Sequence, residues 1–213
     1  RADAGKTGAG TLALARLADR LAEAAGTPAF LPSLFLFTDP ARTPNPVADV
    51  RGLPPGCGVV FRHFGAPGRE RTAAALRAAC DAGGHALLIA ADPDLARETG
   101  ADGVHWPGWA RPKMLRTKLQ HFSINSVSAH GLREAVSGAA AGADIVFLSP
   151  VFASDSPSAG RPLGLLRAAS IARAASAPVY ALGGVGAANA ASLIGTGLAG
   201  IASVSALRRR KRR

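Results

Sequence analysis

Aromatic residues are scarce: eight Phe, two Trp and one Tyr make up 5% of 213 residues. A surface that stacks nucleic-acid bases needs more of them. Cysteine is scarcer still. Cys57 and Cys80 form neither a metal-ligand spacing nor a disulfide framework, and they read as buried free thiols of a reducing cytoplasm. Acidic residues are outnumbered, 14 Asp and Glu against 25 Lys and Arg, for a net charge of +11. Six of the basic residues fill positions 208–213, leaving 19 against 14 in the body. The body is therefore only mildly basic, and the charge argues weakly for nucleic acid. The basic run reads as a solvated tail; a nucleic-acid contact there would be strongly salt-dependent. No stretch holds 18 uninterrupted apolar residues, which argues against a membrane span. Residues 1–6 lack the apolar segment of a signal peptide.

Apolar residues are plentiful at 48%, and charged ones reach only 18%, so a large core is expected and global disorder is not. Eight short apolar runs alternate with Ala-rich helical stretches. The runs cover 34–39, 58–62, 86–90, 103–106, 123–128, 144–150, 179–184 and 200–205. Several, such as Leu87-Leu88-Ile89 and Ile145-Val146-Phe147-Leu148, lack polar alternation, as expected of strands covered on both faces. Helices are expected over 69–82, 94–99, 111–120, 132–141, 165–175 and 187–194, with Gly142, Gly195 and Gly197 at helix ends. Eight βα repeats predict an α/β fold, a compact (β/α)8 TIM barrel; a doubly wound open sheet is the alternative. Too little chain follows the eighth strand for a full closing helix. The amphipathic stretch 11–25 is a candidate to cover that gap. The expected layout is an N-terminal extension and helix over 1–33, the barrel over 34–207 and the basic tail over 208–213. The longest loops are expected at 41–47 and 153–163, both after strand ends, where a barrel keeps its working loops. A homo-oligomer is compatible with this composition.

The strongest chemical signal is Leu182-Gly183-Gly184-Val185-Gly186, after the seventh run. Adjacent glycines let backbone N–H groups approach an anion with no Cβ in the way. The eighth run ends in Ser203-Val204-Ser205. Loops after strands seven and eight recurrently bind phosphate in this barrel; the alternative is a simple tight turn. His130, in Ser128-Ala129-His130, follows the fifth strand. An imidazole there can take and return a proton near neutral pH, or it can merely cap a helix or bond a loop carbonyl. Ser154 and Ser156 offer two hydroxyls on one loop. Arg62 ends the second strand and suits an anionic ligand or a structural ion pair, and His63 beside it could add charge. Trp106 and Trp109 either stack on a flat heterocycle or pack a loop. His85 and His121 precede strands and read as structural, and His105 as a satisfied core histidine. Gly5-Lys6-Thr7 lacks the spacing of a phosphate loop and is set aside.

Val127-Ser128-Ala129-His130, Gly142-Ala143-Asp144, Pro150-Val151-Phe152, Leu182-Gly183-Gly184-Val185 and Ala202-Ser203-Val204-Ser205-Ala206 together resemble the signature of the thiamine phosphate synthase/TenI family. Phe37-Thr38-Asp39 and Gly100-Ala101-Asp102-Gly103-Val104-His105 resemble its first- and fourth-strand motifs. The resemblance implies a (β/α)8 barrel in thiamine biosynthesis whose ligand is a thiazole phosphate. It implies that Gly183, Gly184, Val204 and Ser205 hold the phosphate, that Ser154 and Ser156 stand for a Thr-x-Thr pair nearby, and that Ser128 stands for a diphosphate contact.

The departures fall on the residues that the synthase uses for Mg²⁺ and diphosphate. The family's second-strand Gln-Leu-Arg-Glu-Lys is here Val60-Phe61-Arg62-His63-Phe64, so only Arg62 is kept. The third-strand Asn-Asp pair falls on Ala90-Ala91, a later Mg²⁺ aspartate on Ala110 and a lysine on Pro157. Mg²⁺ prefers hard carboxylate ligands, and a leaving diphosphate needs its growing charge neutralised. Asp92 is the candidate replacement ligand, and Asp94 the candidate cap of the next helix. No cofactor is expected, unless synthase chemistry is retained with Mg²⁺. The pattern is closer to the TenI branch, which includes a thiazole tautomerase whose catalytic histidine matches His130. That branch is the first expectation, a divergent synthase the second and a non-catalytic phosphate-ligand binder the third.

Overall fold

The computed structural model describes residues 2–117, 119–154 and 160–207, with side chains from residue 8 onward. Ser156, Pro157 and the basic tail 208–213 lie outside the described residues.

Eight parallel strands close into a barrel in sequence order. They are β1 (Leu34–Phe37), β2 (Gly58–Phe61), β3 (Ala86–Ala90), β4 (Gly103–Trp106), β5 (Ile124–Ala129), β6 (Ile145–Leu148), β7 (Val179–Ala181) and β8 (Gly200–Ser203). The barrel closes where Leu34, Phe35 and Leu36 pair with Ile201, Ala202 and Ser203. All eight expected strands are present, and closure excludes the open sheet. Alternation along each strand divides the core in two. Leu36, Val59, Phe61, Ile89, Val104, Val127 and Val146 face the outer helices. Phe35, Phe37, Val60, Leu88, Phe147 and Tyr180 fill the lumen. There Phe147 meets Phe35 and Phe37 edge to face at 5.0 and 4.8 Å, an arrangement favoured by the ring quadrupoles. Glycine at positions 58 and 200 makes room for these rings, because a Cβ would collide with Phe35 or with Tyr180.

The helices are α1 (Ala2–Ala24), α2 (Pro46–Val50), α3 (Arg69–Gly83), α4 (Pro93–Glu98), α5 (Arg111–Met114), α6 (Leu132–Ala140) and α7 (Gly164–Ala174). Helix α1 lies against β8 and β1, burying Leu14, Ala18 and Leu21, so it covers the sector that a closing helix would otherwise cover. Four expectations need correction. Residues 187–194 form no α-helix but a short 3-10 turn, Ala190–Leu193, because Asn189 folds its side chain back onto the preceding loop. Helix α5 stops at Met114 instead of 120, giving way to a 3-10 turn at Leu119–His121. Residues 41–47 are not all loop: α2 starts at Pro46, capped by the Asn45 side chain, with proline in the first turn where its missing N–H costs nothing. Helix α4 is capped by Asp92, not Asp94, and Asp94 pairs instead with Arg97. Trp106 is fully buried in the outer core and cannot stack on a ligand. No helix among the described residues is long and apolar enough to cross a membrane.

Candidate functional site

A cleft of about 470 Å³ opens at the carboxyl ends of the strands. It is lined by Arg42, Arg62, His130, Ser149, Pro150, Ser154, Gly183, Gly184, Val204 and Ser205, among others. Seven residues singled out in the sequence thus meet in one place: Arg62, His130, Ser154, Gly183, Gly184, Val204 and Ser205.

The floor on the β7–β8 side is backbone. Gly183 and Gly184 take φ of 85° and 69°, in the left-handed region that favours glycine. Space imposes the same choice. A Cβ on Gly183 would lie 2.8 Å from the Pro150 backbone, and one on Gly184 would strike the Ala153 carbonyl and Phe152. The Asn189 side chain pins this loop: its Oδ1 accepts from the Gly186 N–H at 2.9 Å, and its Nδ2 donates to the Gly184 carbonyl at 2.8 Å. Ser203 ties the two loops together, accepting from the Ala206 N–H at 3.1 Å while its hydroxyl lies 3.5 Å from the Val185 carbonyl. The N–H groups of Gly184, Val185 and Ser205 have no hydrogen-bond partner among the described residues. Free amides in such a concavity suit an anion with several oxygens.

His130 stands across the cleft. Its backbone N–H donates to Glu134 Oε2 at 2.7 Å, anchoring it to the start of α6. Its Nδ1 lies 2.7 Å from the Ser149 carbonyl. A carbonyl only accepts, so Nδ1 carries the proton and Nε2 is left as a base. The loop-carbonyl bond weighed from the sequence is therefore made, and it leaves the reactive nitrogen available.

Arg62 supplies charge. Its Nε donates to the Thr38 carbonyl at 2.8 Å, and its guanidinium sits 5.3 Å over the Phe37 ring. Nη2 is buried, makes no hydrogen bond among the described residues and lies 3.7 Å from Asp39 Oδ2. Burial drags the guanidinium pKa down to about 10, against the pull of Asp39, so it stays charged at neutral pH. Asp39 also holds Arg42, at 3.3 Å. Burial alone would raise its carboxyl, but bonds from Arg42 and the charge of Arg62 outweigh it and keep the pKa below the usual value. Asp39, Arg42, Ser149, Asn189 and Ser203 were not anticipated as site residues. Asp39 and Ser203 sat inside quoted motifs; Arg42 had only its position after a strand to mark it.

The family model described as thiamine monophosphate synthase matches residues 59–207. The chain belongs to the thiamine monophosphate synthase/TenI family. The putative thiamine-phosphate synthase of Geobacter sulfurreducens is 36% identical over 137 residues, 63% of this chain and 64% of that protein. The thiamine-phosphate synthase of Chloroflexus aurantiacus is 38% identical over 122 residues, 57% and 56% of the two chains. This chain thus spans under two thirds of the length of those curated relatives. A solved thiamine phosphate pyrophosphorylase from Pyrococcus furiosus superposes with a TM-score of 0.71 at 27% identity, covering 83% of this chain and 86% of that one.

Ala90 and Ala110 are buried, and Ala91 holds φ of 59°, a conformation costly for any residue with a Cβ. Asp92, the candidate metal ligand, is engaged: it accepts from the Leu95 N–H at 3.1 Å and pairs with Arg69 at 2.6 Å. No three His, Cys, Asp or Glu side chains cluster as a metal site among the described residues, and the Asp92 carboxylate is already committed to the α4 cap and to Arg69. Trp109, 69% exposed, meets Phe64 edge to face at 5.6 Å, bridging the loops on either side of β3. His63 is buried against Phe61 and does not line the cleft. Neither does Ser128: half-buried in β5, it lies 3.0 Å from His105 Nε2.

Proposed function

We propose that this protein binds a thiazole phosphate and transfers a proton on it, as a TenI-type thiazole tautomerase. One observation carries the reading: a bare imidazole nitrogen of fixed tautomer shares a cleft with backbone amides unpaired among the described residues and a half-buried guanidinium. The amides of Gly184, Val185 and Ser205 would take the phosphate oxygens. Anchoring there positions the heterocycle, and positioning alone supplies much of the rate when one acid/base is already placed. His130 Nε2 would remove a proton from the ring system and return it at a second position, leaving the atom count unchanged. The Ser149 carbonyl would stabilise the imidazolium formed between the two steps. Ser154 lines the same cleft and suits a contact near the phosphate; Ser156 is proposed beside it on the resemblance alone.

Incubation with a non-aromatic thiazole carboxylate phosphate tests this, with aromatisation followed by absorbance. His130→Asn should slow turnover by about 10²-fold or more while phosphate-ester affinity changes little. Equal rates for wild type and variant would refute it. The names of the relatives favour a second reading, a divergent synthase that joins thiazole phosphate to an aminopyrimidine diphosphate with Mg²⁺. Coupling at enzymatic rates, dependent on Mg²⁺ and abolished by Asp92→Ala, would establish that reading instead. Binding that His130→Asn leaves intact, with no turnover of any thiazole, would make the protein a non-catalytic phosphate-ligand binder.

A further inference from the structure

His130 is exposed, so burial does little to hold its ring in the cleft and hydrogen bonds must do so. Its Nδ1 is tied to the Ser149 carbonyl at 2.7 Å, and its backbone N–H to Glu134 Oε2 at 2.7 Å. The Ser149 end is rigid, because the Ser149 N–H donates to the Ala129 carbonyl at 2.9 Å and so extends the β5–β6 ladder by one step. The His130 end is not rigid by itself. His130 lies between the last residue of β5 and Gly131, the N-cap of α6, which has no side chain to close the cap. A glycine link leaves the chain free to swing there.

The Glu134 carboxylate closes that link. Glu134 is the third residue of α6, and a glutamate at this position ordinarily reaches back to the N–H of the N-cap residue. Here it reaches one residue further, to His130, and the positive end of the helix favours its charge. The turn that carries Glu134 is braced from outside. Arg111, the first residue of α5, donates from Nη2 to the Glu134 carbonyl and from Nη1 to Ser137 Oγ at 3.1 Å. Glycine at 138 makes room for it, since a Cβ there would lie 2.7 Å from Arg111 Nη2. A continuous set of bonds thus runs from Arg111 to the Glu134 main chain, from the Glu134 side chain to the His130 main chain, and from the His130 ring to Ser149. Neither Glu134 nor Arg111 lines the cleft.

We propose that Glu134 is a positioning residue for the base: its carboxylate fixes the His130 main chain so that Nδ1 stays on the Ser149 carbonyl and Nε2 stays available to the ligand, with Arg111 bracing Glu134 in turn. The tether follows from the bonds alone; its effect on turnover rests on the proton-transfer reading. Without it the link at Gly131 swings, and a misplacement of about 1 Å can cost about 10²-fold in rate. What the tether needs is an acceptor oxygen, which glutamine also has and alanine lacks.

Turnover of the non-aromatic thiazole carboxylate phosphate tests the consequence. Glu134→Ala should lower kcat about 10- to 100-fold, while KM changes by less than about twofold because the phosphate cradle is untouched. Glu134→Gln should restore kcat to within about threefold of wild type, since its amide oxygen accepts the same N–H. Arg111→Met should fall between wild type and Glu134→Ala. Unchanged kcat in Glu134→Ala would refute the proposal, a glutamine variant as slow as the alanine one would refute a hydrogen-bond tether, and wild-type kcat in Arg111→Met would remove the brace. Two readouts need no turnover. The His130 amide of the wild type should exchange with deuterium more slowly than an unbonded exposed amide; exchange at the unprotected rate would overturn the bond to Glu134, whether or not any variant folds. Nitrogen NMR in mildly alkaline buffer should show a single Nδ1–H tautomer of His130 in wild type and Glu134→Gln and a mixture in Glu134→Ala; one tautomer in all three would refute control of the ring. Absence of turnover in the wild type would overturn the proton-transfer reading and the catalytic consequence, with exchange and NMR still deciding the tether.

Discussion

Lowering the pH from 7 to 4 is expected to remove about 3 kcal/mol of folding stability through one side chain, His105. Burial, reinforced by the Arg62 charge, places its folded pKa at about 3, whereas an unfolded histidine titrates near 6.5. The folded ring refuses a proton that the unfolded chain accepts. Its contribution is therefore complete above about pH 6.5 and declines from there toward pH 3, at up to about 1.4 kcal/mol per pH unit. His63 and His85 are also depressed by burial and act in the same direction. Asp39 and Asp92 are depressed carboxylates; most of their stabilisation is lost only as the pH falls through the ordinary aspartate value of 3.8 and below, beneath the range of pH 7 to 4. Urea unfolding at pH 7, 5.5 and 4 separates His105 from the rest when wild type is compared with His105→Gln. Glutamine keeps one donor group and one acceptor for Ser126 and Ser128, the partners of the two ring nitrogens, but takes up no proton. The wild type should lose about 3 kcal/mol more than the variant across this range. Equal losses would refute the claim that a neutral, desolvated imidazole occupies the lumen.

Other outcomes follow from single residues. Ala91→Gly should raise stability by about 1 kcal/mol in thermal melts, because it relieves a left-handed alanine, and leave phosphate binding unchanged. Gly184→Ala should abolish measurable phosphate-ester binding in calorimetry, since its Cβ would strike the Ala153 carbonyl and distort the anion loop. Asp92→Ala should cost about 1–2 kcal/mol in urea unfolding through the lost cap of α4, with no change in Mg²⁺ affinity by titration. Cys57 and Cys80, buried with thiols pushed up to about 12, should react with a thiol reagent only at the rate of unfolding, followed by absorbance.

Much of the architecture was legible in the sequence because it is local and repetitive. Eight runs such as Ile145-Val146-Phe147-Leu148, apolar on both faces, specify strands that must be covered inside and out, and a barrel satisfies that demand for every strand at once. Gly183-Gly184 marked an anion loop for an equally local reason: left-handed backbone and close approach both reject a Cβ. Short-range competition was harder to read. Asp92 caps α4 with Pro93 in the first turn, a local signal outweighed in the sequence reading by the nearby Asp94, and Arg69, brought alongside from α3, also holds the Asp92 carboxylate. Asn189 diverted 187–194 from a helix by bonding backward to Gly184 and Gly186.

Only the closed barrel could decide the chemistry between distant residues. It set the Ser149 carbonyl against His130 Nδ1 and so chose the tautomer of the proposed base. It placed His105 between two serines of the adjoining strand and desolvated the ring and Ser126. Such facts depend on which side chains exclude water from which others. Sequence fixes the donors and acceptors a residue carries; tertiary packing fixes which of them are left unmatched, and unmatched groups are what a ligand can use.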